Sequence, residues 1–220
     1  MKVIELGYEE AEVYFIGKEL NNDMELFTED VQEKIEKSVD LLNGYTVFGH
    51  CSAHFTPEFT EKGVLLKGSD FYLQGNDIKA HLLGCDKVYL FCATLGYGVD
   101  RIIRSFEVCD LSLGYYLDVL AGYLIEKYCD YVESVIGKAE SEQDLTERFS
   151  CGYGDFPLDA QKDILRLVNA EKELGVKLTE SGMMTPQKTV TAVIGIGKKA
   201  KVQRCKLCVK NDDCKGQCND

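Results

Sequence analysis

Apolar residues recur at helical spacing over several long stretches of this chain and cluster as short β-rich runs between them. Between 28 and 44, Val31, Ile35, Val39 and Leu42 form one apolar stripe. Thr28 stands where an N-cap belongs, Glu29 and Asp30 suit the positive end of the helix dipole, and Gly44 suits the C′ position. Val64 to Lys67 and Phe71 to Leu73 read as short strands, after which Asn76 is expected to cap a short helix ending at Gly84. The run KVYLFCATLGYGVDRIIRSF over 87–106 predicts strand, turn and helix. A long helix is expected over about 110–136, with Leu117, Leu120, Tyr123, Leu124, Tyr128, Tyr131 and Val135 at helical spacing. The stretch 137–147 is polar and acidic and reads as exposed. Asp159 to Leu174 predicts another helix, stopped by Gly175, and Thr189 to Ile196 predicts a strand of β-branched residues.

The pattern changes near residue 198, where apolar periodicity gives way to lysines and cysteines. The chain therefore reads as one mixed α and β domain over 1–197 and an appended Cys-rich tail over 198–220. The tail places Cys205, Cys208, Cys214 and Cys218 at C-x2-C-x5-C-x3-C. Four thiols so close in sequence can converge on one metal, and either zinc or an iron–sulfur cluster accepts that ligand set. The alternative is a tail that stays reduced and disordered. The other six cysteines lie among apolar neighbours and read mostly as small core residues.

Three motifs point elsewhere and are set aside. Gly195, Gly197 and Ala200 spell G-x-G-x-x-A after a strand, but no βαβ unit follows. Gly96 and Gly98 open a helix and either present backbone N–H groups to an anion or simply make a tight turn. His81 and Gly84 give half of the D-x-H-x-x-G run of corrinoid carriers, but Lys79 stands at the Asp position, so His81 reads as an ordinary histidine. His50 and His54 likewise read as structural.

Composition narrows the classes of function. The formal charge of −12 argues against sequence-independent binding of nucleic acid, which needs a basic face. The N-terminus carries acidic residues where a signal peptide has its apolar centre, and no apolar run is long enough to span a bilayer. The expectation is a cytoplasmic protein that binds neither membrane nor nucleic acid, with its ten cysteines reduced or metal-bound.

The run RFSCGYGDFPLDAQ, its amphipathic helix and the close GVKLTESGMMTPQKTVTAVIGIG resemble the S-adenosylmethionine-binding reactivation domain of cobalamin-dependent methionine synthase. The resemblance is most specific over 148–197 and extends back to about residue 76. It implies an α+β fold with a twisted, mainly antiparallel sheet and flanking helices. The family's R-x-x-x-G-Y run falls on Arg148, Gly152 and Tyr153, with Cys151 inside it. Arg148 would grip the ligand carboxylate through paired charge-assisted bonds, Gly152 would admit the backbone close to the ligand, and Tyr153 would lie beside the sulfonium. Glu126 and Glu180 are acidic candidates for the ligand amine or sulfonium.

The chain departs from the family where Gly154-Asp155-Phe156-Pro157 follows the Gly-Tyr pair. It also has Gly197 and Lys198 in place of a distal tyrosine pair, and no matching acidic contact in its N-terminal third. The implied function is reactivation of a methionine synthase-type methyltransferase, by positioning S-adenosylmethionine for reductive methylation of cob(II)alamin on a partner. The implied partners are a cobalamin-carrying methyltransferase and a flavodoxin or ferredoxin type of electron donor. Two other readings stay open: an iron–sulfur redox activator of a corrinoid protein, and a non-catalytic S-adenosylmethionine-binding module.

Overall fold

A computed structural model of the chain describes residues 4–141 and 143–197. The metal ligands expected at Cys205, Cys208, Cys214 and Cys218 lie outside the described residues. The described residues form two compact units, those within 4–51, 93–134 and 170–190 in one and those within 52–92, 135–169 and 191–197 in the other. Strands β1 (Gly49–Phe55), β5 (Lys87–Thr94) and β8 (Thr189–Ile196) form a three-stranded sheet in the order β1-β5-β8. No helix among the described residues is long and apolar enough to cross a membrane.

The first unit is mainly helical. Helix α1 (Tyr8–Glu19) starts where the Glu10 carboxylate turns back to accept the Gly7 N–H at 2.8 Å. Helix α2 (Glu29–Tyr45) is capped by Thr28, whose hydroxyl accepts from the Val31 N–H, and buries Ile35, Val39 and Leu42 as the spacing predicts. Its end differs from the expectation: the helix runs through Gly44 to Tyr45, so Gly44 is helix interior and no C′ glycine. Helix α4 (Tyr97–Cys109) turns directly into α5 (Leu111–Ala139), where Asp110 accepts the Leu113 N–H at 3.1 Å. Within this unit α5 buries Leu117, Leu120, Leu124 and Tyr128, and Phe15 of α1 stacks on Tyr116 with ring centroids 4.4 Å apart.

The paired glycines that open α4 have a packing role. A Cβ on Gly98 would lie 2.2 Å from the Tyr45 carbonyl oxygen, and one on Gly96 would lie 3.0 Å from that of Val47. The helix start lies against main chain, and only hydrogen atoms fit between.

In the second unit, β2 (Pro57–Thr60), β3 (Gly63–Leu66) and β4 (Tyr72–Leu73) form an antiparallel meander with Phe59 opposite Val64 and Val64 opposite Leu73. It buries Val64, Leu66 and Leu73. Helix α3 (Asn76–His81) follows, and its N-cap is Gly75, not Asn76. The stretch 137–147 is less exposed than its composition suggests. Glu140 accepts from Lys87 Nζ at 2.7 and 2.8 Å and from the Tyr89 hydroxyl at 2.6 Å, and Thr146 is buried.

The helix expected over 159–174 is two: α6 (Ala160–Leu167) and α7 (Ala170–Leu174). Asn169 separates them at φ +57°, a left-handed conformation that Asn tolerates better than most residues. The short strands β6 (Lys177–Leu178) and β7 (Met184–Thr185) pair antiparallel. Of the six cysteines read mostly as core residues, Cys85, Cys92 and Cys129 are buried, Cys51 and Cys151 are half-buried, and Cys109 is exposed.

Two substitutions separate the two kinds of glycine in α2 and α4. Gly44 has nothing within 4 Å of an added Cβ, so Gly44→Ala is expected to stabilise the protein by about 0.5–1 kcal/mol. Gly98→Ala is expected to destabilise it by at least about 1–3 kcal/mol. Chemical denaturation of both variants checks the pair.

Candidate functional site

The Arg148–Tyr153 run is held by main-chain pairing to β8. The Phe149 and Val193 N–H groups each donate to the other's carbonyl at 2.9 Å. Thr146 N–H donates to the Gly195 carbonyl at 2.9 Å, while its hydroxyl accepts the Gly195 N–H at 2.8 Å. Gly197 N–H closes the ladder on the Asp144 carbonyl at 3.0 Å. Extended backbone alternates its side chains, so Phe149 is buried and Arg148 is half-buried beside it. This pairing also accounts for Gly195 of the G-x-G-x-x-A pattern, where a Cβ would come within 2.5 Å of the Cys85 sulfur. Ala200 of that pattern lies outside the described residues.

After Phe149 the chain makes a compact turn. Tyr153 N–H donates to the Ser150 carbonyl at 3.2 Å, Phe156 N–H to the Tyr153 carbonyl at 2.9 Å, and Gly152 N–H to the Phe156 carbonyl at 2.9 Å. Gly152 sits at φ +88°, where a side chain is strained although space is available: Leu158 lies 3.6 Å from an added Cβ. Tyr153 is 65% exposed, and its ring meets Phe149 edge-on at 6.1 Å. Phe149 in turn contacts Phe156 and the His81 ring, so one buried aromatic supports the whole turn. Burial pushes the Cys151 thiol up to about 12, against a Thr191 hydrogen bond that pulls the other way. It is therefore a neutral thiol at physiological pH.

Helix α3 meets this segment at two places. At its start, the Asp155 carboxylate accepts the Asn76 N–H at 2.6 Å and the Asp77 N–H at 2.9 Å. The Asp77 carboxylate accepts the Asp155 N–H at 3.1 Å in return. At its end, His81 Nε2 lies 2.8 Å from the Glu147 carbonyl oxygen, which fixes Nε2 as the donor. Burial holds the His81 ring below its ordinary pKa, with Glu147 acting in the opposite sense. Its buried ring is thus a donor to the main chain, in keeping with its reading as an ordinary histidine. The other two histidines have tyrosine partners, His50 at hydrogen-bond distance from Tyr128 (2.8 Å) and His54 packed on the Tyr89 ring.

Arg148, Cys151, Gly152 and Tyr153 thus share one braced segment of the second unit. Glu126 and Glu180 stand in the first unit. Glu126 is exposed on α5, one residue from Lys127, which pairs with Glu10. Glu180 is exposed in the turn between β6 and β7, where the Thr179 hydroxyl takes the Met183 N–H at 3.1 Å and lies 2.9 Å from that of Ser181. The Tyr97 hydroxyl donates to the Gly175 and Thr185 carbonyls at 3.0 and 3.3 Å, and Asp100 accepts the Gln187 N–H at 2.7 Å. Sequence reading missed the parts of Tyr97, Asp100, Asp155 and His81, because each acts on main chain far away in sequence. A Gly-Asp pair directly after the turn was the one visible hint.

Thiol reactivity tests the environment of Cys151. Brief alkylation with iodoacetamide at pH 7.5, mapped by mass spectrometry, is expected to modify Cys109 and to leave Cys151 unmodified until the protein is denatured. Equal labelling of the two would contradict a protonated, shielded Cys151.

The fold has solved counterparts. The crystal structure of the MetH reactivation domain bound to AdoHcy superimposes with a TM-score of 0.64 at 16% sequence identity, covering 91% of this chain and 79% of that one. No curated protein matches the chain. The family model described as the activation domain of vitamin B12 dependent methionine synthase matches residues 78–216, more than half of the sequence. That match takes in the end of α3 from Ile78 on, α5, the braced Arg148–Tyr153 segment and β8. The chain belongs to the family of vitamin B12 dependent methionine synthase activation domains.

Proposed function

We propose that this protein binds S-adenosylmethionine through the Arg148–Tyr153 segment and reactivates a cobalamin-dependent methyltransferase of the methionine synthase type. One observation carries the reading: Arg148, Gly152 and Tyr153 lie on a single braced segment within the stretch that matches the activation-domain family. The AdoHcy bound to the MetH reactivation domain, the demethylated form of this ligand, supports it.

Each residue has a part that its environment suits. Arg148 is a permanent cation whose planar fork matches the ligand's α-carboxylate. Gly152 keeps the φ +88° turn open, so main chain can approach the ligand. Tyr153 offers an exposed ring face to the sulfonium, a cation–π contact. Cys151 is protonated, so it does not compete as a nucleophile for the sulfonium methyl. Methyl transfer from a sulfonium requires no proton movement, and the protein's contribution is proximity and orientation. Cobalamin, held by the partner, supplies the reduced cobalt that accepts the methyl group, and a flavodoxin or ferredoxin type of donor supplies the electron.

The tail belongs to this proposal as a metal site formed by Cys205, Cys208, Cys214 and Cys218. The same four thiols are also the ligand set of a second reading, in which an iron–sulfur cluster there passes electrons to the corrinoid protein. Metal analysis and the visible spectrum of anaerobically purified protein separate the two. One equivalent of zinc without colour supports a structural tail, and iron with broad visible absorption supports the redox reading.

Calorimetry tests the ligand. Arg148→Ala is expected to weaken S-adenosylmethionine binding roughly ten- to hundredfold, the loss of a charge-assisted pair, with little change in thermal stability. Unchanged affinity in that variant would contradict the assignment.

A further inference from the structure

We infer that helix α3 is a positioning clamp for the ligand-gripping segment, with Asp155 and His81 as its two fastenings; this rests on the ligand reading above. The two fastening points on the segment are Glu147 and Asp155. Every residue of the R-x-x-x-G-Y run lies between them. Arg148 is the residue directly after the first, and Tyr153 stands two before the second.

The construction at the start of α3 is not an ordinary helix cap. Gly75, the N-cap residue, has no side chain to offer, and the acceptor arrives from 78 and 79 positions away. The exchange is reciprocal, with each aspartate accepting from the main chain of the other's segment. Asp155 is exposed and Asp77 half-buried, and both carboxylates face N–H donors.

Two glycines permit the approach. A Cβ on Gly154 would lie 2.1 Å from an Asp77 carboxylate oxygen, and one on Gly75 would lie 2.6 Å from that of Asp155. At the other end the buried His81 ring donates to the Glu147 carbonyl. One fastening alone would leave the segment free to hinge about the Phe149–Val193 pair. With both in place, the Arg148 main chain has no such freedom.

Calorimetry on the full chain, with S-adenosylmethionine and with 5′-methylthioadenosine, tests the clamp. The second ligand lacks the amino-acid portion that Arg148 would grip. Asp155→Ala is expected to weaken S-adenosylmethionine about five- to tenfold and to leave 5′-methylthioadenosine within twofold. In an Arg148→Ala background its effect on S-adenosylmethionine should shrink, because one of the two groups that the clamp positions is gone and Tyr153 remains. His81→Gln keeps a donor near Nε2 and is expected to retain affinity, whereas His81→Phe should lose it. Equal weakening of both ligands by Asp155→Ala, or wild-type affinity in that variant while Arg148→Ala loses it, overturns the clamp. If the wild type binds neither ligand, the ligand reading fails and the clamp falls with it.

Discussion

The reciprocal hydrogen bonds between Phe149 and Val193 are the constraint on which the candidate site depends. They commit the segment to extended backbone, and extended backbone dictates that neighbours point to opposite faces. Phe149 goes into the core and meets His81, Tyr153 and Phe156. A one-residue slip would exchange Phe149 for Arg148 and bury a guanidinium. Register and burial therefore select the same arrangement, and the cation stays at the surface because the aromatic residue is held inside.

A second constraint recurs in both units: other groups approach the main chain closely at particular glycines. Gly98 admits the Tyr45 carbonyl in one unit, and Gly195 admits the Cys85 side chain in the other. Gly154 and Gly75 do the same for the aspartate exchange. In several of these places a glycine motif that suggests nucleotide or anion binding instead serves packing. The G-x-G beside β8 and the pair opening α4 are both of this kind.

Much of the fold was legible in the sequence. Thr28 announced α2, the β-branched run announced β8 at its observed bounds, and the apolar spacing announced α5. The misreadings have different causes. Gly44 and Asn76 were assigned cap roles from local chemistry, but α2 runs on to Tyr45, and α3 received its cap from Asp155. The single helix expected over 159–174 hid a left-handed Asn169, which has no signature in the periodicity. The polar stretch 137–147 looked exposed because the partners of Glu140, Lys87 and Tyr89, lie more than fifty positions away. Arg148, Gly152 and Tyr153 were singled out by the family resemblance. Their bracing was not, because it runs through main-chain atoms that carry no residue-specific mark.

The central claim is that the sulfonium of S-adenosylmethionine lies against Tyr153 with its carboxylate on Arg148. The most direct measurement is an isotope-filtered nuclear Overhauser experiment on the full protein with methyl-13C S-adenosylmethionine. The account predicts cross-peaks from the labelled methyl to the Tyr153 ring protons, lost in Tyr153→Leu. Saturable binding with cross-peaks only to other side chains, and none to Tyr153, would contradict it.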